Sequence, residues 1–346
     1  MIRLLTIGFL ILSLAVPVSA AEFTAPTVPD SGGKLMPEST ESFAQAVAEL
    51  LQKAVEALRP DLAEAVRTGT GMIAVAILTS LLRSFAGVSK SMVTLTGVLL
   101  ISLQLMQSAD SMIRLGCETI GELSAYGKLL LPVMTAALAA QGAVTASTSL
   151  YVGTAVFDAL LSSLITGFLK PLVYFFLGIG ICASALGDDT LKKIQDAVKS
   201  FITWSLKACL IVFTAYMGIT GVVSGTTDAA ALKATKLTIS TVVPVVGGIL
   251  SDASEAVLVS VGVMKNAAGI YGILAAFSIF LSPFLKIGAH YLILKAAAMV
   301  CGILDAKGIG QPVEVFAGAM GFVLAMTGAV CLMQLISTVC FLKGMG

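Results

Sequence analysis

Residues 149–169 read SLYVGTAVFDALLSSLITGFL, twenty-one residues with a single charge, Asp158. A helix needs about 20 predominantly apolar residues to cross a hydrocarbon core roughly 30 Å thick. The apolar positions run on without a period of two, so the stretch does not read as a strand of a membrane barrel. It reads as a spanning helix. Similar stretches lie on both sides, at about 69–88, 91–107, 129–147, 171–187, 201–224, 238–250, 255–283, 287–304 and 315–342.

The composition says the same of the whole chain. Of 346 residues 57% are hydrophobic and 12% charged, with mean hydropathy +0.99. A soluble domain carries about 25% charged residues. A soluble enzyme, a disordered chain and a nucleic-acid binder are therefore excluded, and a net charge of +1 offers no basic footprint for DNA or RNA. The expected fold is an all-α polytopic bundle of about 8–10 membrane segments. Its 33 glycines, with many Ala, Ser and Thr, suit close helix packing in lipid. The six cysteines form no C-x-x-C pair and read as small core residues.

The polar segments mark the edges of this body. Residues 1–21 read as a signal peptide: Arg3, an apolar run from Leu4 to Val16, Pro17, then Val18-Ser19-Ala20. Residues 22–38 read as linker. In 39–67 an amphipathic stripe of Phe43, Val47, Leu50, Leu51, Val55 and Leu58 is expected, divided or kinked at Pro60. Residues 108–128, with Asp110, Arg114, Glu118, Glu122 and Lys128, read as an interfacial helix. Residues 188–200 read as a second one, with Lys192, Lys193 and Lys199 on it and Trp204 following at interface depth. The positive-inside rule makes this segment cytoplasmic. Counting through alternating spans then puts 22–67 and the C-terminus outside, and Arg83 and Lys90 inside. Lys233 and Lys236 fall outside, against the rule.

Self-comparison suggests an internal duplication, 129–224 against 239–342. Leu131-Pro132-Val133-Met134 resembles Val243-Pro244-Val245-Val246. Phe168-Leu169-Lys170 recurs as Phe284-Leu285-Lys286, with Tyr174, Cys182 and Asp188 matched by Tyr291, Cys301 and Asp305. The halves are parallel if all four stretches of each span, and inverted if the short Pro-containing stretch 238–250 is re-entrant. The remaining organisation is a segment 22–68 and a first membrane unit 69–128.

An ionisable group at membrane depth is costly and so a candidate for function. Asp158 is one, with a helix-packing contact as the plainer reading. Asp252 and Glu255, three apart on one helix face, read either as first-turn capping residues or as a paired-carboxylate site. Lys265 and Asn266 lie inside or at a break of the same helix. Lys170 and Lys286 read as snorkelling cations, and His290 as an interface residue. No P-loop, H-E-x-x-H or G-x-S-x-G motif occurs. No catalytic residue, metal site or cofactor is expected.

The run Val242-Val243-Pro244-Val245-Val246-Gly247-Gly248-Ile249-Leu250-Ser251-Asp252-Ala253-Ser254-Glu255, continued by Lys265-Asn266-Ala267-Ala268-Gly269-Ile270, resembles the signature of the stage III sporulation protein AE family. The resemblance implies a multipass protein of the mother-cell membrane around the forespore. It implies a channel or secretion-like complex connecting the two cells and required for forespore development. The implied partners are other membrane and ring-forming subunits, a cytosolic ATPase and a forespore membrane protein. The competing reading is an autonomous secondary transporter with an intramembrane carboxylate site.

Overall fold

The computed structural model describes residues 26–37, 43–85, 90–242, 247–303 and 307–343, without the side chains of 85, 90, 91, 221–266 and 307. The expected signal peptide and Pro244 lie outside the described residues. All regular structure among those residues is helical. A short α1 (Asp30–Gly33) precedes α2 (Phe43–Phe85), α3 (Lys90–Ala140) and α4 (Val144–Leu164). A π-helical turn (Ile165–Leu169) joins α4 to α5 (Lys170–Leu186). Then come α6 (Asp189–Val242), α7 (Gly247–Ile303) and α8 (Lys307–Lys343).

Six of these units are long and apolar enough to cross a membrane: Phe43–Ser84, Met92–Ala140, Val144–Leu186, Asp189–Thr220, Ala267–Ile303 and Gly308–Lys343. That is fewer than the stretches counted in the sequence, because several adjacent stretches are single helices. Pro60 does not divide α2, and Pro132 and Pro283 lie inside α3 and α7. Proline removes one N–H and leaves the carbonyl four residues earlier without its partner. At Pro60 that carbonyl belongs to exposed Glu56, where water can replace it.

The two segments expected to be separate interfacial helices are parts of longer ones. Residues 108–128 are the middle of α3, and Met112, Ile113, Ile120, Leu123 and Tyr126 are all core residues. Residues 188–200 are the first turns of α6. The N-terminal stripe is also revised. Ala46, Leu50 and Ala54 are buried and form a small core with Leu35, Leu274 and Leu281. Phe43, Leu51 and Val55 are exposed. The small alanines, not the bulky residues, let α2 lie close against α7.

The helices alternate in direction. Gly308 packs on Thr94, and Gly97 on Thr79 and Ile309, so the α2–α3 and α7–α8 connections share one end of the bundle. Lys192 and Gln195 share a cavity with Gln311 and Glu314, which brings the α5–α6 turn to that end as well. Gly187 makes this turn. Its φ of 67° is left-handed, and its N–H closes α5 onto Ala183 O, an arrangement a side chain would strain. Asp188 Oδ1 then accepts the Thr190 N–H at 2.6 Å and caps α6. At the other end are the start of α2, the Gly142 turn between α3 and α4, and the end of α8.

α8 is the central helix, with 67% of its apolar window buried against 28% for α2. It carries Phe316, Met320, Val323, Val330 and Phe341 into the core. Close approach depends on glycine: a methyl at Gly116 would overlap Val323, and one at Gly153 would overlap the Tyr216 ring. The outward faces are apolar too. Leu78, Leu103, Val156, Ile211, Leu292 and Leu332, one on each spanning unit, are all more than half exposed. A surface of that kind fits hydrocarbon as the solvent.

Candidate functional site

A polar seam runs through the bundle where α3, α4 and α8 meet. Asp158 on α4 is only 3% exposed. Its Oδ2 accepts the Ser124 hydroxyl from α3 at 2.5 Å. Its Oδ1 is buried with no hydrogen-bond partner among the described residues. One helical turn earlier, Thr154 shares a 2.7 Å hydrogen bond with Ser337 on α8. Gln334 on α8 donates to Leu123 O on α3 at 3.4 Å and occupies the space left by the missing side chain at Gly127. Each contact joins two helices, so the seam fixes their rotation about their axes. It also leaves one carboxylate oxygen unsatisfied in a low-dielectric interior, the costly situation for any polar atom.

The helix bearing Asp158 is irregular just beyond it. The π-helical turn Ile165–Leu169 ends where Pro171 follows Lys170. A proline there cannot serve the carbonyl of Gly167, and a widened turn moves that carbonyl off the ring. On the α5 side of the turn, Tyr174 donates to Asp110 Oδ1 at 2.6 Å. Arg114 donates to Asp110 Oδ2 at 3.1 Å. Of the charges that interrupt α3 in sequence, Asp110 and Arg114 are thus paired along the helix, and Asp110 is tied across to α5.

Two other polar residues at apolar boundaries have partners. Lys286 Nζ stands 2.8 Å from Asp61 Oδ1, and both side chains are about 30% exposed. This pair ties the N-terminal helix to α7, where simple snorkelling had been the expectation. His290 is buried, with Nδ1 3.0 Å from Lys286 O.

The other candidates separate from the seam. Asp252, Glu255, Lys265 and Asn266 fall on α7, and their side chains lie outside the described residues. Lys192, Lys193 and Lys199 are exposed near the start of α6. Trp204 is 67% exposed and stands beside Phe201, which meets Phe168 edge-on. Ser124, Thr154, Gln334 and Ser337 were not singled out in the sequence. No group of three or more His, Cys, Asp or Glu that could hold a metal occurs among the described residues.

Comparison with known proteins bears on the whole body, not on one site. A relative from Bacillus subtilis (strain 168), stage III sporulation protein AE, is 22% identical over 250 residues. The match covers 72% of this chain and 62% of that protein's length. No solved structure matches the chain. The profile of the stage III sporulation protein AE family matches residues 33–344, from the short helix α1 to the end of α8. A match of that extent takes in all six apolar units, and the chain belongs to the stage III sporulation protein AE family.

Proposed function

We propose that the protein is a multipass membrane subunit of a channel or secretion-like complex that joins mother cell and forespore during sporulation. The observation that carries this reading is the extent of the family match, residues 33–344. Such a subunit needs a rigid helical body with surface left for partners. Glycine-mediated packing and the seam of α3, α4 and α8 supply the rigidity. The polar first half of α2 extends beyond its apolar part and offers Glu49, Lys53, Glu56 and Arg59 on the side opposite the lysine-bearing turns. With no phosphate-binding loop in the sequence, energy for transport would come from a separate ATPase. The chain itself would act without catalysis, in the mother-cell membrane around the forespore, with ring-forming subunits and a forespore membrane protein as partners.

Purification of the tagged full-length chain from sporulating cells tests this reading. Membrane and ring-forming sporulation proteins should co-purify with it. Recovery of the chain alone, from membranes in which those proteins are present, would overturn it. One observation favours a secondary transporter instead: the unsatisfied, buried Oδ1 of Asp158. On that reading Asp158→Asn should abolish sporulation while the complex still assembles. On the subunit reading the variant that assembles should also sporulate.

A further inference from the structure

We propose that the end of the bundle carrying the turns after α5 and α7 holds a binding site for one anionic phospholipid, between α6, α7 and α8. A cavity of about 430 Å³ opens there. Its lining changes character with depth. Lys192, Gln195 and Gln311 stand in the first turns of α6 and α8, and Lys199 and Lys295 two to three turns in from the same end. Phe176, Gly318, Gly321, Phe322 and Ala325 continue inward along apolar helix faces. A polar rim over an apolar floor matches an amphiphile, whose head and chain need different surroundings.

The charge narrows the class. Three lysines, with Asp196 and Glu314, leave the lining one positive charge in excess. Lys295 is engaged with Glu314 at 3.2 Å, so the excess lies on the Lys192, Asp196 and Lys199 side, all from α6. A single phosphodiester charge would neutralise it. Basic pockets between membrane helices are suited to anionic head groups.

The level in the membrane is marked independently. Thr203 lines the cavity, and the next residue, Trp204, is 67% exposed within the Phe168, Phe201 and Trp204 cluster. Aromatic residues of this kind collect at the membrane–water boundary. Lys199, five residues before Trp204 on α6, is about 7.5 Å from it along the helix axis, within reach of head groups at that boundary. Two glycines of α8 let lining rings lie close against that helix. A methyl at Gly318 would press the Phe176 ring at 3.3 Å, and one at Gly321 the Tyr291 ring at 3.3 Å.

The test uses the full-length chain purified in detergent, without partners, so its outcome is independent of complex membership. Native mass spectrometry would compare retention of phosphatidylglycerol and phosphatidylcholine. One phosphatidylglycerol per chain should be retained at least about tenfold more strongly than phosphatidylcholine. The double variant Lys192→Gln/Lys199→Gln should lose that preference. Ala325→Trp, which fills the floor at an exposed position and leaves the charge unchanged, should also release the lipid. Thermal unfolding of each variant without added lipid would confirm that it remains folded.

Millimolar inorganic phosphate should not displace the lipid. Displacement by phosphate, with binding intact in Ala325→Trp, would make this a phosphate site and overturn the lipid assignment. Equal retention of both lipids, or phosphatidylglycerol retention unchanged in both variants, would overturn it as well. Binding of an acidic peptide but not of phosphatidylglycerol would assign the rim to a protein partner and likewise reject the proposal.

Discussion

The two oxygens of Asp158 stand in different surroundings, and that difference predicts how substitutions behave. Oδ2 takes the Ser124 hydroxyl, while Oδ1 has no partner among the described residues. Ser124→Ala would strip the donor from Oδ2 and leave an acid stranded between α3 and α4. Removing one partner of a buried polar pair costs about 1–3 kcal/mol, whereas removing both can be nearly neutral. Ser124→Ala should therefore lower unfolding stability in detergent by about that amount. The double variant Ser124→Ala/Asp158→Leu should recover part of the loss. A silent Ser124→Ala, or a double variant weaker than the single, would remove the seam from the account of stability. Asp158 was legible in the sequence because it is the single charge in twenty-one residues. Ser124, Thr154 and Ser337 were not. Hydroxyl residues are abundant in these helices, and many simply bond the carbonyl one turn back, as Thr119 does to Leu115 O and Thr135 to Leu131 O. Hydropathy does not distinguish a hydroxyl turned to its own helix from one that reaches a neighbour.

Single helices explain why apolar stretches and structural elements do not coincide. A hydropathy window registers side chains, whereas helix continuity depends on the backbone. The charges at Asp110 and Arg114 break an apolar run yet lie within an intact α3, where they pair with each other and Asp110 also accepts the Tyr174 hydroxyl. Met92–Ala140, with 49 residues, is about 74 Å long at 1.5 Å per residue, far longer than a bilayer core of about 30 Å. One pass of such a helix can carry both apolar and polar stretches. The duplication belongs at this scale as well. Lys170 and Lys286 each precede a turn at the same end of the bundle, at Gly187 and after Ile303. Residues 149–169 and 171–187 form one unit, Val144–Leu186, so the four stretches do not each span; we propose parallel halves instead from the shared direction of Val144–Leu186 and Ala267–Ile303. Packing between elements can be tested directly. Gly153→Val should overlap the Tyr216 ring and force α4 from α6, costing about 1–3 kcal/mol as overpacking does; thermal unfolding reads it. At the contact of α2 with α7, a double-mutant cycle with Asp61→Asn and Lys286→Met should give a coupling of about 0.2–1 kcal/mol, the range for part-exposed pairs. A coupling of zero would assign this part of the α2–α7 contact to the small apolar core of Ala46, Leu50 and Ala54 with Leu274 and Leu281.

Across the described residues, six alternating apolar units have a consequence that no single helix carries. An even number returns the chain to the side on which it began, so the start of α2 and the end of α8 lie together, opposite the turns after α2, α5 and α7. Arg83, Lys192 and Lys193 lie beside the short connections at the end with those turns, with Lys199 and Lys295 within three helical turns of them, whereas Lys53, Arg59 and Arg67 lie along the long N-terminal helix α2. The positive-inside rule weighs Lys and Arg in short flanking segments, not net charge. The turn end should therefore face the cytoplasm. Replacing the six native cysteines and introducing Lys193→Cys or Gln52→Cys, both at exposed positions, allows the orientation to be read. With the chain expressed in vegetative cells, whose membrane faces the medium, a membrane-impermeant maleimide applied to intact protoplasts should label Gln52→Cys and spare Lys193→Cys, and lysis should expose the second. Labelling of Lys193→Cys alone would invert the orientation. Equal labelling of both in intact cells would place them on one side, which six alternating passes do not allow.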